Sequence, residues 1–210
     1  MQRQRTLTKN TKTALYYDLL QLITGLILVG FLGMHLVFES TIMLGITVFN
    51  NLAHMLDQNS LPFLGIPLVI IAFFTHFLVA GRRIPTRFQE QRIIWRHAKN
   101  LNHPNTWAWV FQLISGMMLL VLVSIHIWVV ITNWPIEATS SAQRASSHWG
   151  FYILLLLVAA LHAGIGVYRQ FVKWGWFSRR PVGIMISIVT MMILVIGLAT
   201  IFAFMRLGGM

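Results

Sequence analysis

The sequence contains no cysteine, which excludes disulfides, thiolate metal sites and iron–sulfur ligation within the chain. Charge is scarce at 10% of residues, and acids are scarcest: five Asp and Glu stand against sixteen Lys and Arg, for a net charge of +11. In a soluble chain that excess would suggest nucleic acid. Here the bases lie in short blocks between apolar runs, so no nucleic-acid partner is expected and the charge reads as membrane topology. The apolar runs lack strict two-residue alternation, which argues against a barrel. The chain also reads without internal repeats or low-complexity stretches, as one compact domain over 1–210. The polar start, up to Thr13, precedes an apolar run too long for a signal peptide and without a small-residue cleavage site, so the first helix is expected to be retained.

What the chain has is apolar length, with 57% hydrophobic residues. About 20 apolar residues suffice to cross the hydrocarbon core, and backbone groups in lipid must be satisfied internally. The expected fold is therefore an all-α membrane protein with five transmembrane helices, at about 15–44, 61–81, 107–132, 149–169 and 183–205. Fourteen of the sixteen bases fall before helix one, between helices two and three, or between four and five, leaving Arg144 and Arg206 on the other side. The positive-inside rule then puts the N-terminus in the cytoplasm and the C-terminus outside. The connections 45–60 and 132–150 face outward, with a turn expected at Trp134-Pro135. The Arg-rich connection 81–106 reads as a solvated inner loop whose charge could also dock a partner. Trp107, Trp109, Trp128, Trp149, Trp174 and Trp176 lie near helix ends, as interfacial aromatic residues do.

Four histidines, His35, His76, His126 and His162, lie one in each of the first four helices. One such residue could be a hydrogen-bonded packing residue; four shift the balance toward function. His76 precedes Arg82 by six residues and His162 precedes Arg169 by seven, placing both about 10 Å inside the cytoplasmic boundary. His35 and His126 lie near the outer ends, about 15 Å away. Two facing imidazoles can hold a haem iron on both axial positions, so two tiers predict two stacked b-type haems inside the first four helices. Gly25, Gly30, Gly33, Gly116, Ala163, Gly164 and Gly166 thin the neighbouring surfaces, although small residues also promote ordinary helix packing. Zinc would want its ligands clustered at one depth, which two tiers do not offer.

Several separated motifs, in order, resemble the dihaem cytochrome b membrane anchor of succinate:quinone oxidoreductases, most closely the menaquinol fumarate reductase type. They are Gln-Leu-Ile-Thr-Gly, Gly-Met-His-Leu-Val-Phe and Ser-Thr-Ile-Met-Leu-Gly within 21–45, Thr-His-Phe-Leu-Val-Ala-Gly-Arg-Arg-Ile-Pro at 75–85, Trp-Val-Phe-Gln-Leu-Ile-Ser-Gly and Ser-Ile-His within 109–126, and Leu-His-Ala-Gly-Ile-Gly-Val-Tyr-Arg with Val-Lys-Trp-Gly-Trp-Phe within 161–177. The resemblance implies that His76 and His162 hold the haem nearer the cytoplasm and His35 and His126 the outer one. It implies propionate partners Gln21, Trp109 and Lys173 for the first haem and, across a one-residue gap, Arg144 for the second; anions near the membrane edge need such donors. It further implies menaquinone or menaquinol as a bound substrate, and an iron–sulfur subunit and a flavoprotein on the cytoplasmic face of a bacterial inner membrane. The dicarboxylate chemistry would belong to those subunits, and any dimerisation to the whole complex.

An acid near the outer haem is expected as a base for quinol oxidation. An ungapped count matches Asp57 to a family glutamate, and Glu39, four residues after His35, is the rival on the same helix face. Where some relatives carry a proton-carrying glutamate two positions before the histidine of the fourth helix, this chain has Ala160. The competing expectations are a haem b anchor of a formate dehydrogenase or hydrogenase and, from another class, a histidine-dependent proton or metal transporter, which usually shows repeats and broken helices.

Overall fold

The computed structural model of the protein describes residues 11–59, 61–82, 84, 87–101 and 103–209. Arg3, Arg5, Lys9 and Arg83, part of the topology count, lie outside the described residues. The described chain forms helices α1 (Thr11–Ser40), α2 (Ile46–Gln58), α3 (Leu61–Gly81), α4 (Phe88–Leu101), α5 (Pro104–Thr132), α6 (Ala138–Ser147), α7 (Trp149–Lys173) and α8 (Arg179–Gly208). Five of them, α1 with the 3-10 turn that follows it, α3, α5, α7 and α8, are long and apolar enough to cross a membrane. Leu78, Val121, Met191 and Phe202 are among the many large apolar side chains these helices expose, as a lipid-facing surface requires.

The expected five spans are present, but the connections between them are more ordered than hydropathy suggests. Segments 45–60, 81–106 and 132–150 each hold a helix, α2, α4 and α6. Gly45, at φ 119°, separates α1 and its turn from α2, a backbone conformation that side chains with a Cβ rarely adopt. Gly175, at φ 69°, ends α7 in the same way: Trp176 N–H reaches back to the Phe171 carbonyl at 3.1 Å. Instead of a solvated loop, 81–106 contains an amphipathic helix that buries Ala98 and sets Trp95 edge-on against Trp107 of α5 at 5.7 Å.

The spans pack in two pairs, α1 with α3 and α5 with α7, and α8 lies against α7 and α6 while also touching α1. The fifth span is thus a brace between the pairs, closer to the bundle than an arrangement built on the first four helices anticipates. Close approach explains its sequence: a Cβ at Gly197 would fall 2.6 Å from Leu156, and one at Gly164 would strike Thr190. At the end away from Arg82 and Lys173, α2 and α6 form a cap. Phe49, fully buried, packs its ring 4.9 Å from Phe38 and edge-on against Phe204 at 5.6 Å. Ala138, Ala142 and Ala145 give α6 a flat face against this cluster, and the Asn50 side-chain oxygen accepts the Ala138 N–H at 2.8 Å, capping the helix from across the cluster. The two ends of the bundle are referred to below as the basic end and the capped end.

Candidate functional site

Between the two helix pairs runs a cavity of about 1560 Å³ whose walls include His35, His76, His126 and His162. Gln21, Glu39, Asp57, Trp109, Arg144 and Lys173, the other residues singled out from sequence, line the same cavity. Its depth is organised by α1 and α5. On α1, Thr24 Oγ1 lies 3.1 Å from His76 Nδ1 of α3; on α5, Ser115 Oγ lies 2.7 Å from His162 Nδ1 of α7. Eleven residues further along the same two helices stand His35 and His126, their ring centroids 5.9 Å apart and inclined at 59°. Eleven residues of α-helix rise about 16 Å. The histidines therefore occupy two levels, one pair near the basic end and one near the cap.

At the capped level the polar groups gather into one cluster. Glu39 Oε1 is 3.9 Å from His35 Nδ1, and Phe31 stacks on the His35 ring at 5.6 Å. Tyr152 meets His126 edge-on at 6.3 Å, and Arg144 lies beside Tyr152, with its charge also felt at Glu39. Arg144 donates to Ser141 Oγ at 3.1 Å, which orients it from α6 into the cavity wall. Asp57 reaches that wall from α2. His126 Nδ1 is buried with no hydrogen-bond partner among the described residues.

At the basic level an acid that sequence reasoning did not single out carries the electrostatics. Asp18 accepts from Arg82 of α3 at 2.7 Å through one carboxylate oxygen and from Lys173 of α7 at 2.8 Å through the other. Arg82 also lies over the Tyr17 ring at 4.6 Å. Lys173, expected as an anion partner, is thus tied to Asp18 at the rim of the cavity. The signal for Asp18 was in the composition: it is one of five acids, and it sits on the heavily basic side of the first span. Asp18→Asn leaves two cations without their shared counter-charge. The expected result is a loss of about 1–2 kcal/mol, below the figure for a fully buried pair because all three side chains are partly exposed, read as a lower melting temperature in detergent.

The glycines divide more sharply than their sequence proximity to the histidines suggests. A Cβ at Gly25 would lie 3.0 Å from His76 Cε1, and one at Gly116 would lie 3.4 Å from His162 Cε1, so these two let an imidazole lie against a helix. Gly164 serves the α7–α8 contact instead, while Gly30 and Gly33 face open space. No group of three or more His, Cys, Asp or Glu among the described residues could close a metal site by itself. The cavity suits paired nitrogen ligands around a large flat apolar group.

Thr24 and Ser115 were not singled out from sequence, yet the signal was there. Gln21-Leu22-Ile23-Thr24-Gly25 and Gln112-Leu113-Ile114-Ser115-Gly116 differ by one hydroxyl residue, and each is followed ten residues after its glycine by His35 or His126. The chain therefore does contain an internal repeat, contrary to the sequence reading; its core of five residues is short enough to be lost among apolar helices.

These features define an integral membrane protein with an internal, histidine-lined cavity. A model of the succinate dehydrogenase/fumarate reductase transmembrane subunit matches residues 89–203, and the chain belongs to that family. It is 29% identical over 209 residues to the fumarate reductase cytochrome b subunit of Helicobacter pylori, covering 91% of this chain and 80% of the relative. It is 28% identical over 218 residues to the corresponding subunit of Wolinella succinogenes, covering 95% and 85%. The succinate dehydrogenase cytochrome b558 subunit of Bacillus subtilis is 30% identical over 203 residues, covering 90% and 96%. The internal repeat weakens one objection to a transporter, but this membership outweighs it, and it equally disfavours a formate dehydrogenase or hydrogenase anchor.

Proposed function

We propose that the chain is the membrane anchor and electron-transfer subunit of a fumarate reductase/succinate dehydrogenase complex, binding two b-type haems and a menaquinone-class quinone. The observation that carries this reading is the cavity between two helix pairs, with two histidines at each of two levels. Its residues fit the haem group. The four imidazoles would supply nitrogen ligands to its iron, Gly25 and Gly116 make room beside His76 and His162, and the surrounding wall is largely aliphatic and aromatic. When bound, the haems supply one-electron carriers at two depths in the bilayer.

The chain's own groups have the complementary tasks. His76 and His162 are the ligands at the basic end, His35 and His126 those at the capped end. Gln21, Trp109 and Lys173 line the basic-end wall, where donors and a cation suit propionates, and Arg144 suits the same task beneath the cap. The side-chain oxygen of Gln21 is buried without a partner among the described residues, which is consistent with an amide that serves a group other than protein. Glu39 or its rival Asp57, both on the cavity wall, is the acceptor for protons released when quinol is oxidised. The basic end faces the cytoplasm and receives an iron–sulfur subunit, with a flavoprotein beyond it that interconverts succinate and fumarate. Within this chain, Ala160 is buried and aliphatic, so protons that offset transmembrane charge do not travel by that position.

A reduced-minus-oxidised spectrum of the purified protein, with haem quantified against protein, tests the proposal. Two b-type haems per chain are expected; the absence of b-type bands overturns it.

A further inference from the structure

The repeated pentapeptide is more than a trace of likeness between α1 and α5, because both copies make the same contact. In each, the hydroxyl residue reaches Nδ1 of the histidine on the neighbouring inward-running helix, and the glycine after it is the position where a Cβ would press on Cε1 of that ring. The glycine lets the imidazole lie close to the helix; the hydroxyl sets which nitrogen faces it.

The hydroxyls also fix the direction of the hydrogen bond. Thr24 Oγ1 is 2.7 Å from the Leu20 carbonyl, and Ser115 Oγ is 2.6 Å from the Phe111 carbonyl. A carbonyl can only accept, and a hydroxyl has one proton, so that proton is committed to the preceding turn of its own helix. Were Nδ1 unprotonated, the hydroxyl would face two acceptors with one proton, leaving a lone-pair contact in a buried site. All partners are satisfied only if Nδ1 carries the proton and donates to the hydroxyl. A hydroxyl that is itself donating accepts more strongly, since linked hydrogen bonds polarise one another.

We infer that Thr24 and Ser115 are a matched pair of positioning residues that hold Nδ1–H of His76 and His162, leave Nε2 as the ligand nitrogen, and set the electron affinity of the basic-end site separately from that of the capped-end site. The inference rests on the haem reading above. An imidazole that donates through one nitrogen is a stronger electron donor through the other, which favours the oxidised metal. The capped-end pair lacks this device: His126 Nδ1 has no hydrogen-bond partner among the described residues, and His35 Nδ1 stands 3.9 Å from Glu39, beyond hydrogen-bond distance. The two sites share a ligand type and differ in what stands behind it.

The test is a potentiometric titration of the intact complex, followed optically and by electron paramagnetic resonance, for Thr24→Val, Ser115→Ala and the double variant. The basic-end haem is identified as the one missing from a His162→Ala variant. Each single substitution raises the ferrous-to-ferric ratio of that haem at fixed ambient potential by up to about tenfold, about 59 mV upward for a one-electron couple. The double variant shifts it further, and the other haem stays unmoved. The exchanges Thr24→Ser and Ser115→Thr keep the wild-type value, because the hydroxyl is retained. Loss of the basic-end haem alone, restored by those exchanges, also supports the inference. Unmoved potentials, an equal shift of both haems, loss of both haems, or hydroxyl-retaining variants that behave like the hydroxyl-free ones overturn it. A wild-type protein without b-type bands would instead overturn the haem reading beneath it.

Discussion

If the proposed function holds, a His162→Ala variant is expected to retain one of the two proposed haems, with quinol-to-fumarate electron transfer in the complex reduced by at least about 100-fold. Two contacts make His162 the informative choice. Its Nδ1 is held by Ser115 at 2.7 Å, and its backbone carbonyl accepts from Gln112 at 2.8 Å, so both the ring and the turn that carries it are anchored to α5. Alanine removes the imidazole while leaving the Gln112 bond and the helix, because alanine is the best helix former. The capped-end pair lies about 16 Å away along the helices and shares none of these partners. The remaining haem should therefore keep its spectrum. The measurement is haem per chain together with a low-temperature difference spectrum; an unchanged content of two would remove His162 from the ligand set.

The second large effect is expected at the capped end. Neutralising the proposed proton acceptor, by Glu39→Gln or Asp57→Asn, should lower quinol oxidation by about 100-fold or more while leaving haem content unchanged, since a positioned base is worth about that much. The two positions differ in setting. Glu39 sits on α1 one turn beyond His35 and shares Arg144 with Tyr152, whereas Asp57 enters from the short helix α2. Each substitution keeps the side-chain length and replaces the carboxylate by an amide, which cannot take up the proton. The readout is turnover with a menaquinol analogue alongside haem content, and the variant that loses turnover with its haems intact identifies the base. Full turnover in both variants would exclude the pair.

The five spans were legible because lipid demands long apolar runs, and nothing else in the chain resembles them. The four histidines were legible for the converse reason, since an ionisable group in such a run is costly enough to stand out. The connecting helices were not. At 10 to 14 residues they are too short for a hydropathy signal, and α6, Ala-Thr-Ser-Ser-Ala-Gln-Arg-Ala-Ser-Ser, has the composition of a loop until its alanines meet Phe49 and Phe204. Its helicity comes from packing, which composition does not record. Thr24 and Ser115 escaped notice because a hydroxyl bonded to its own preceding turn is commonplace within helices. Only the contact across to α3 or α7 separates these two from the rest. Asp18 was visible as an acid among bases, but its two partners are 64 and 155 positions away in the chain, a distance that only the fold closes.

The cap has a consequence for the order of events during synthesis. Its core joins Phe49 from the first connection, Ala138, Ala142 and Ala145 from the second, and Phe204 near the end of the last span. The chain emerges from its N-terminus, so α1, α3, α5 and α7, with all four histidines, precede the residue that completes this cluster. The roof over the far half of the cavity is therefore assembled last, when α8 arrives to meet Phe49 and the face of α6. Until then the cavity lacks the stretch of wall that Thr200, Ile201 and Phe204 give it, although α2 and α6 have already been made.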